Sequence, residues 1–223
     1  MSFLLAENPH AGLEWAVKAR SAHEQTYGTD DAGGHRYRAI AIFAAGMSGD
    51  PLAAISQLKP VIERQRTDDP RYLPRLLWFL GHLYLHAERS KDAAETLEEA
   101  ERVALASGID QRYQLPMIRA DLGLALLDLG RLGDAAGKLQ AVLSGEGVPH
   151  TMMPVQANAQ VGLARLLMLR NDPRGALTYA TAAEDFWRDF DPENPARRRA
   201  VQMRSAAQHA LTVRLRTNSS HHS

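Results

Sequence analysis

The organisation of this chain is clearest in residues 80–100, which read LGHLYLHAERSKDAAETLEEA. In the first half of this stretch, small and apolar residues recur three and four positions apart, and the second half repeats that spacing. This is the period of one face of a helix. A short polar run, Glu88-Arg89-Ser90, separates the two halves. The stretch therefore predicts two helices joined by a tight turn, which together form a helical hairpin.

The same pattern occurs four times along the chain. Its most regular position is an alanine in the second helix of each hairpin, at Ala54, Ala93, Ala135 and Ala176, with spacings of 39, 42 and 41 residues. Small or apolar residues follow each alanine at four and seven positions, and another precedes it by thirteen positions. A repeat of this length predicts a stacked array of hairpins, in which each unit buries its apolar face against its neighbours.

Small residues predict close packing inside each hairpin. Gly81, Gly123 and Ala164 occupy one equivalent position on the first helices, and the repeated alanines lie on the second helices. Side chains of this size let two helix backbones approach closely. We expect the larger neighbours, such as Tyr84 and Leu97, to fill the space around that contact.

The repeats predict one all-α domain of about ten helices. The array spans residues 1–216, and its parts are four full helix pairs at about 35–67, 71–107, 111–144 and 151–190, with flanking helices at about 10–27 and 195–216. The last helix is expected to cap the final hairpin, since an open array needs a polar end. Residues 217–223 are predicted to be a disordered tail. The unpaired first helix suggests a fragment of a longer protein.

The pattern resembles that of the tetratricopeptide repeat. The clearest match is Leu80-Gly81 with Tyr84, followed by the Ala93 stripe, and Leu122-Gly123 begins a second match. The period near 41 residues is similar to that of the longer repeats found in kinesin light chains and in bacterial regulators. The resemblance covers about residues 10–190. It implies a right-handed superhelix, an α-solenoid whose concave groove is lined by the first helix of each pair.

Composition excludes several classes of function. Lys plus Arg and Asp plus Glu each number 26, so the charge balance gives no indication of nucleic acid or a membrane surface as partner. The absence of Cys excludes disulfides and cysteine-ligated zinc. No apolar run reaches the roughly 18 residues of a membrane span. We therefore expect a cytoplasmic protein, and the abundance of Arg and Ala suggests a bacterial gene.

The sequence contains no pattern typical of an enzyme. His82 and His86 have the four-residue spacing of two metal ligands on a helix, but no nearby carboxylate completes a site. We interpret them as groove-lining residues and expect no metal, cofactor or catalytic site. The C-terminal helix contains the run Arg197-Arg198-Arg199, which is interpreted as a solvated cap; a nucleic-acid or acidic-protein contact is the alternative.

The resemblance predicts the residues that line the groove. They flank the Leu-Gly pair or its equivalent on each first helix: Arg36, Phe43, Met47, Arg75, Trp78, His82, His86, Met117, Leu124, Asp128, Asn158 and Arg165. Two known binding modes are not expected. The lysines and asparagines that clamp a terminal carboxylate are replaced, for example by Ala39 and Phe43. The asparagine ladder of kinesin light chains is replaced by other residues, among them Phe79 and Asp121.

The preferred function is a non-enzymatic scaffold whose groove holds an apolar or amphipathic segment of another protein, anchored by Trp78, Phe43 and Met117. Two other functions stay open. One is a ligand- or peptide-sensing regulatory module of a larger bacterial signalling or transcription protein, and the other is homo-oligomerisation, such as a homodimer. Trp78 also has an alternative role as ordinary core.

Overall fold

A computed structural model of the chain describes residues 9–28, 32–68, 70–107, 111–144, 153–192 and 194–220. Over these residues it contains ten α-helices, a 3₁₀ turn at Pro70–Tyr72 and no strand. The helices are α1 (Pro9–Tyr27), α2 (Ala32–Ser48), α3 (Pro51–Asp68), α4 (Leu73–His86), α5 (Ser90–Ala106), α6 (Gln111–Asp128), α7 (Leu132–Leu143), α8 (Met153–Leu169), α9 (Pro173–Phe190) and α10 (Pro195–Ser220). The predicted all-α repeat fold is confirmed.

The helices form two layers. Each helix packs on the next one along the chain, and in addition α2, α4, α6, α8 and α10 contact one another in order. Successive helices of the other set, α1, α3, α5, α7 and α9, make no contact of comparable extent among the described residues. In a curved stack, the helices that lie closest together are on the inside. We call the first set the inner helices and the second set the outer helices.

The end of α10 differs from the prediction. The helix continues through Ser220, whereas a disordered tail was expected from residue 217. Residues 217–220 contain neither Gly nor Pro, the two residue types that interrupt a helix most strongly, so helical geometry can continue. The last three residues of that predicted tail, 221–223, lie outside the described part of the chain.

Three of the hairpin turns share one geometry. Glu88, Gly130 and Asn171 follow the inner helices α4, α6 and α8, and each has a positive φ between 57° and 73°. This left-handed residue reverses the chain and caps the carbonyl groups at the helix end; at the turn after α4, Arg89 N donates to Tyr84 O at 2.8 Å. Only Gly130 adopts this conformation without steric cost.

The next helix is capped by an aspartate in two of the hairpins. Asp50 Oδ1 accepts from the backbone N–H groups of Leu52 and Ala53, at 2.9 and 3.1 Å. Asp172 Oδ1 accepts from the N–H of Gly175 at 3.0 Å. Each aspartate accepts hydrogen bonds from backbone N–H groups that have no partner within the helix. The Pro that follows each aspartate is tolerated at the first helical position, because no backbone N–H is needed there.

The glycines of the inner helices permit close packing, as predicted. A Cβ atom placed on Gly81 would lie 2.5 Å from Leu97 Cγ, and one on Gly123 would lie 2.6 Å from Leu139 Cγ. Both leucines are fully buried. The first hairpin achieves the same contact one turn later, because Gly46 approaches Ala54, where a Cβ would lie 2.5 Å from the Ala54 Cβ.

A buried carboxylate joins three helices at the centre of the array. Glu101 on α5 is 8% exposed, and it accepts a hydrogen bond from Arg119 Nε on α6 at 2.8 Å and another from Lys138 Nζ on α7. Burial alone would raise the pKa of Glu101, but the hydrogen bonds from Lys138 and Arg119 outweigh it and hold that pKa below its usual value. The charged form of Glu101 therefore stabilises the packing of α5 against the next hairpin.

This site predicts a pH-dependent contribution to stability. The pKa of Glu101 is lower in the folded state than the roughly 4.3 of an unfolded chain, so its contribution is present above that value and disappears as the pH falls through the folded pKa. We expect Glu101→Gln to lower the free energy of unfolding by about 1–2 kcal/mol at pH 7. Urea denaturation of both proteins at several pH values tests this. A difference that stays constant down to pH 3 would contradict the ion pairing.

The last helix covers the end of the array. Ala196, Ala200 and Ala207 are fully buried where α10 packs on α8 and α9, and Arg204 Nη1 lies 3.0 Å from the buried Glu184 Oε2 of α9. Near the other end of α10, Arg214 Nη2 donates to the carbonyl of Asn171 at 2.7 Å. These contacts fix α10 as a fifth inner helix.

Candidate interaction surface

All twelve predicted groove residues lie on the inner helices α2, α4, α6 and α8. Nine of them keep a half-buried or exposed side chain, and these nine define what we call the inner surface: Arg36, Met47, Arg75, His82, His86, Leu124, Asp128, Asn158 and Arg165. The other three are buried in the core. The repeat pattern therefore assigned all twelve residues to the inner helices, but it did not distinguish accessible side chains from buried ones.

The three predicted aromatic and apolar anchors are not accessible. Phe43, Trp78 and Met117 are 0%, 2% and 5% exposed, and all three belong to the main core cluster. Phe43 stacks on Phe79 with ring centroids 4.4 Å apart and lies 5.7 Å from the ring of Trp78. These rings fill the contact between successive inner helices, where large side chains bury the most apolar area. For Trp78, the structure agrees with the core alternative.

A buried aspartate, which the sequence reasoning did not select, organises the centre of this layer. Asp121 on α6 is 9% exposed, and its Oδ2 accepts from Trp78 Nε1 at 2.7 Å and lies 2.7 Å from His82 Nδ1. An ionised carboxylate only accepts hydrogen bonds, so His82 must carry its proton on Nδ1. The bonds join α4 to α6 and fix the orientation of both rings.

The sequence did contain a signal for this contact. Trp78 and His82 lie one helical turn apart, and an acidic residue occurs immediately before the Leu-Gly pair of the next inner helix. The resemblance by itself identifies Asp121 only as the replacement of a ladder asparagine. In the described part of the chain, no group of three histidine, aspartate or glutamate side chains is placed to hold a metal ion.

A second polar contact joins three helices at the edge of the inner surface. Asp128 Oδ1 lies 2.7 Å from Arg165 Nη1 of α8, and its Oδ2 accepts from Ser90 Oγ of α5 at 2.9 Å. The Arg165 side chain stays 43% exposed, so this ion pair is in contact with solvent and contributes little to stability. Arg165 can therefore exchange partners without unfolding the array.

The positive side chains of the inner surface differ in their surroundings. The guanidinium of Arg36 lies over the ring of Tyr72, 5.0 Å from its centroid. Burial lowers the pKa of Arg75. Burial also lowers the pKa of His86, and the charges of His82 and Arg199 lower it further. Arg199 of α10 therefore lies close enough to α4 to affect the pKa of His86.

Comparison with known proteins agrees with this architecture. The family model of the tetratricopeptide repeat matches residues 120–195, from within α6 to the start of α10. Among solved structures, the chain is similar to BtubC (BKLC) from P. vanneervenii, with a TM-score of 0.61 and 16% sequence identity over 95% of this chain and 92% of that one. At that identity the likeness concerns the fold. No curated protein matches the chain.

The match to this repeat family indicates a general function. Tetratricopeptide repeats generally mediate protein–protein interaction or scaffolding, and proteins built from them are typically not enzymes. None of the described helices is both long enough and apolar enough to cross a membrane. The subtype with a period near 41 residues stays a prediction. Residues 120–195 are therefore of the tetratricopeptide-repeat type, and the described chain as a whole has an all-α helical repeat fold.

Proposed function

We propose that the chain is a non-enzymatic scaffold that holds a segment of another protein against its inner surface. The observation that carries this proposal is the alignment of accessible side chains of mixed character on successive inner helices. Met47 and Leu124 supply half-buried apolar contacts, while His82, Asn158 and Arg165 supply polar ones. A surface of this kind suits a segment with one apolar and one polar side.

The burial of Trp78 and Phe43 changes the kind of contact that we propose. Because these rings are buried in the core, Met47 and Leu124 supply the apolar contacts of the proposed binding surface. Methionine adapts its shape to different partners, since its side chain is unbranched and flexible. The proposed partner segment is therefore amphipathic, and its apolar side faces these two residues.

Two variants that add the same charge to the inner and the outer side of the array test this proposal. Met47→Arg alters the inner surface, and Leu105→Arg alters an exposed residue of the outer helix α5 that is 50% exposed. We expect affinity capture to recover a set of proteins with the parent chain and with Leu105→Arg, and to lose that set with Met47→Arg. Equal recovery by both variants would contradict the proposed surface, provided that both unfold at the parental temperature.

Self-association is a competing use of the same surface. Light scattering behind size exclusion, over a hundredfold range of concentration, distinguishes the two. The proposal expects one monomer mass throughout, which leaves the inner surface accessible to a partner. A stable dimer whose mass becomes monomeric in Met47→Arg would assign the surface to a second copy of the chain.

A further inference from the structure

Charge is distributed unequally between the two layers. The five inner helices contain twelve Arg and two Asp, with no Lys and no Glu, which gives a net charge of +10. The five outer helices contain ten Lys or Arg and thirteen Asp or Glu, a net charge of −3. The whole chain is neutral, so the remaining −7 lies in the connecting and terminal segments. The neutral total charge of the chain is therefore the sum of positively charged inner helices and of negatively charged outer helices and connecting segments.

Both carboxylates of the inner helices are already engaged. Asp121 is buried and hydrogen-bonded to Trp78 and His82. Asp128 contacts Arg165 and Ser90. Arg165 balances the charge of Asp128, and Asp121 is buried and therefore out of contact with an approaching ligand. An approaching anion consequently meets the positive potential of the arginines and little repulsion.

One repeat position of the inner helices holds an arginine on three of the five helices, α2, α4 and α10. Arg36, Arg75, Met117, Asn158 and Arg199 occupy equivalent positions on the five inner helices, with spacings of 39, 42, 41 and 41 residues. Arg199 is exposed. The effect of its charge on His86 of α4 agrees with a position facing the other inner helices. The basic layer thus continues from α2 onto the capping helix α10.

We propose that the inner surface binds an acidic peptide segment of the partner protein, with carboxylates that face Arg165 of α8 and Arg199 of α10. This inference rests on the proposed function and adds the charge of the partner. Neighbouring helices pack roughly 8–10 Å apart and an extended chain advances about 3.3 Å per residue, so about three residues correspond to each inner helix. Complementary charge of this kind raises the association rate and selects the partner.

A nucleic acid is the less favoured anion. Several basic side chains of the inner helices are engaged within the protein: Arg119 with Glu101, Arg204 with Glu184, and Arg214 with a backbone carbonyl. Strong binding of a phosphate backbone needs a broad surface of available cations. The chain as a whole is also neutral, with an isoelectric point near 7.2.

The experiment uses the full chain and three labelled probes of about ten residues each: oligo-glutamate, oligo-glutamine and oligo-deoxythymidine. Fluorescence anisotropy is measured at low and at physiological ionic strength. The inner variant combines Arg165→Gln with Arg199→Gln. Its matched control removes two exposed arginines from outer helices, Arg102→Gln with Arg174→Gln, so both proteins lose the same charge.

We expect the oligo-glutamate peptide to bind at least about tenfold more tightly than oligo-glutamine. The inner variant should weaken that binding by about tenfold, and the outer variant by less than about twofold. Equal losses in the two variants would show an effect of net charge alone and would overturn the proposal. Tighter binding of oligo-deoxythymidine than of oligo-glutamate would overturn it in favour of a nucleic acid.

The two proposals fail separately. If oligo-glutamate binds no better than oligo-glutamine while Met47→Arg still abolishes capture of the partner, the inner surface is an interaction site and only its acidic preference is wrong. If Met47→Arg leaves capture unchanged, the proposed function itself is wrong, whatever the peptide result.

Discussion

Trp78→Ala is expected to lower the free energy of unfolding by about 3–5 kcal/mol. The side chain is 2% exposed and packs against Phe43, Phe79 and His82, so its removal leaves a large cavity between two inner helices. The substitution also removes the indole N–H that donates to Asp121 at 2.7 Å. Urea denaturation followed by circular dichroism measures the loss.

Two control variants separate the contributions to this loss. Trp78→Phe keeps an aromatic ring but loses the hydrogen bond, so we expect a loss of about 1–2 kcal/mol. Trp15→Ala removes a tryptophan that is 36% exposed on α1, and we expect its cost to be below about 1 kcal/mol. If Trp78→Ala lost a partner and kept the parental stability, Trp78 would be a binding anchor and its placement in the core would be wrong.

The same substitution at two glycines is expected to have opposite effects. Gly123→Ala should destabilise the chain by about 1–3 kcal/mol, because the new Cβ would lie 2.6 Å from Leu139 Cγ in a fully packed contact. Gly137→Ala should stabilise it by about 0.5–1 kcal/mol. No atom lies within 4 Å of a Cβ at this second site, and alanine favours a helix more than glycine does.

Thermal unfolding of the two variants measures this difference in sign. Both substitutions add one methyl group to a helical glycine, so helix propensity favours the alanine equally in each. If both variants were stabilised to the same extent, Leu139 would have room to move. The close approach of α6 and α7 would then contribute nothing to the specificity of the fold.

The helices were predictable because their signals are local and repeated. Asp50 and Asp172 cap the helices that follow them, and Gly130 has the positive φ that its turn requires. Gly81 and Gly123 mark the closest contacts, because a glycine inside a helix has few other uses. Four copies of one pattern average out the irregularities of each copy.

The candidate surface was less predictable because it depends on the rotation of each helix against its neighbours. Adjacent positions of a helix differ by about 100°, so a modest rotation exchanges surface for core. Trp78 and His82 share one face of α4, yet Trp78 is 2% exposed while the His82 side chain keeps 22%. The contacts of Asp121 with Trp78 and His82 fix this arrangement. They join residues that are 43 and 39 positions apart in the sequence, so no local pattern predicts them.

The central claim, that a partner binds the inner surface, is tested most directly by hydroxyl-radical footprinting of the chain with its captured partner. This method reports the solvent exposure of individual side chains. We predict that Met47, His86 and Leu124 become protected from oxidation, while Leu52 and Leu105 on the outer helices, which are 54% and 50% exposed, react as in the isolated chain. Protection of the outer leucines with unchanged reactivity of the inner residues would contradict the account.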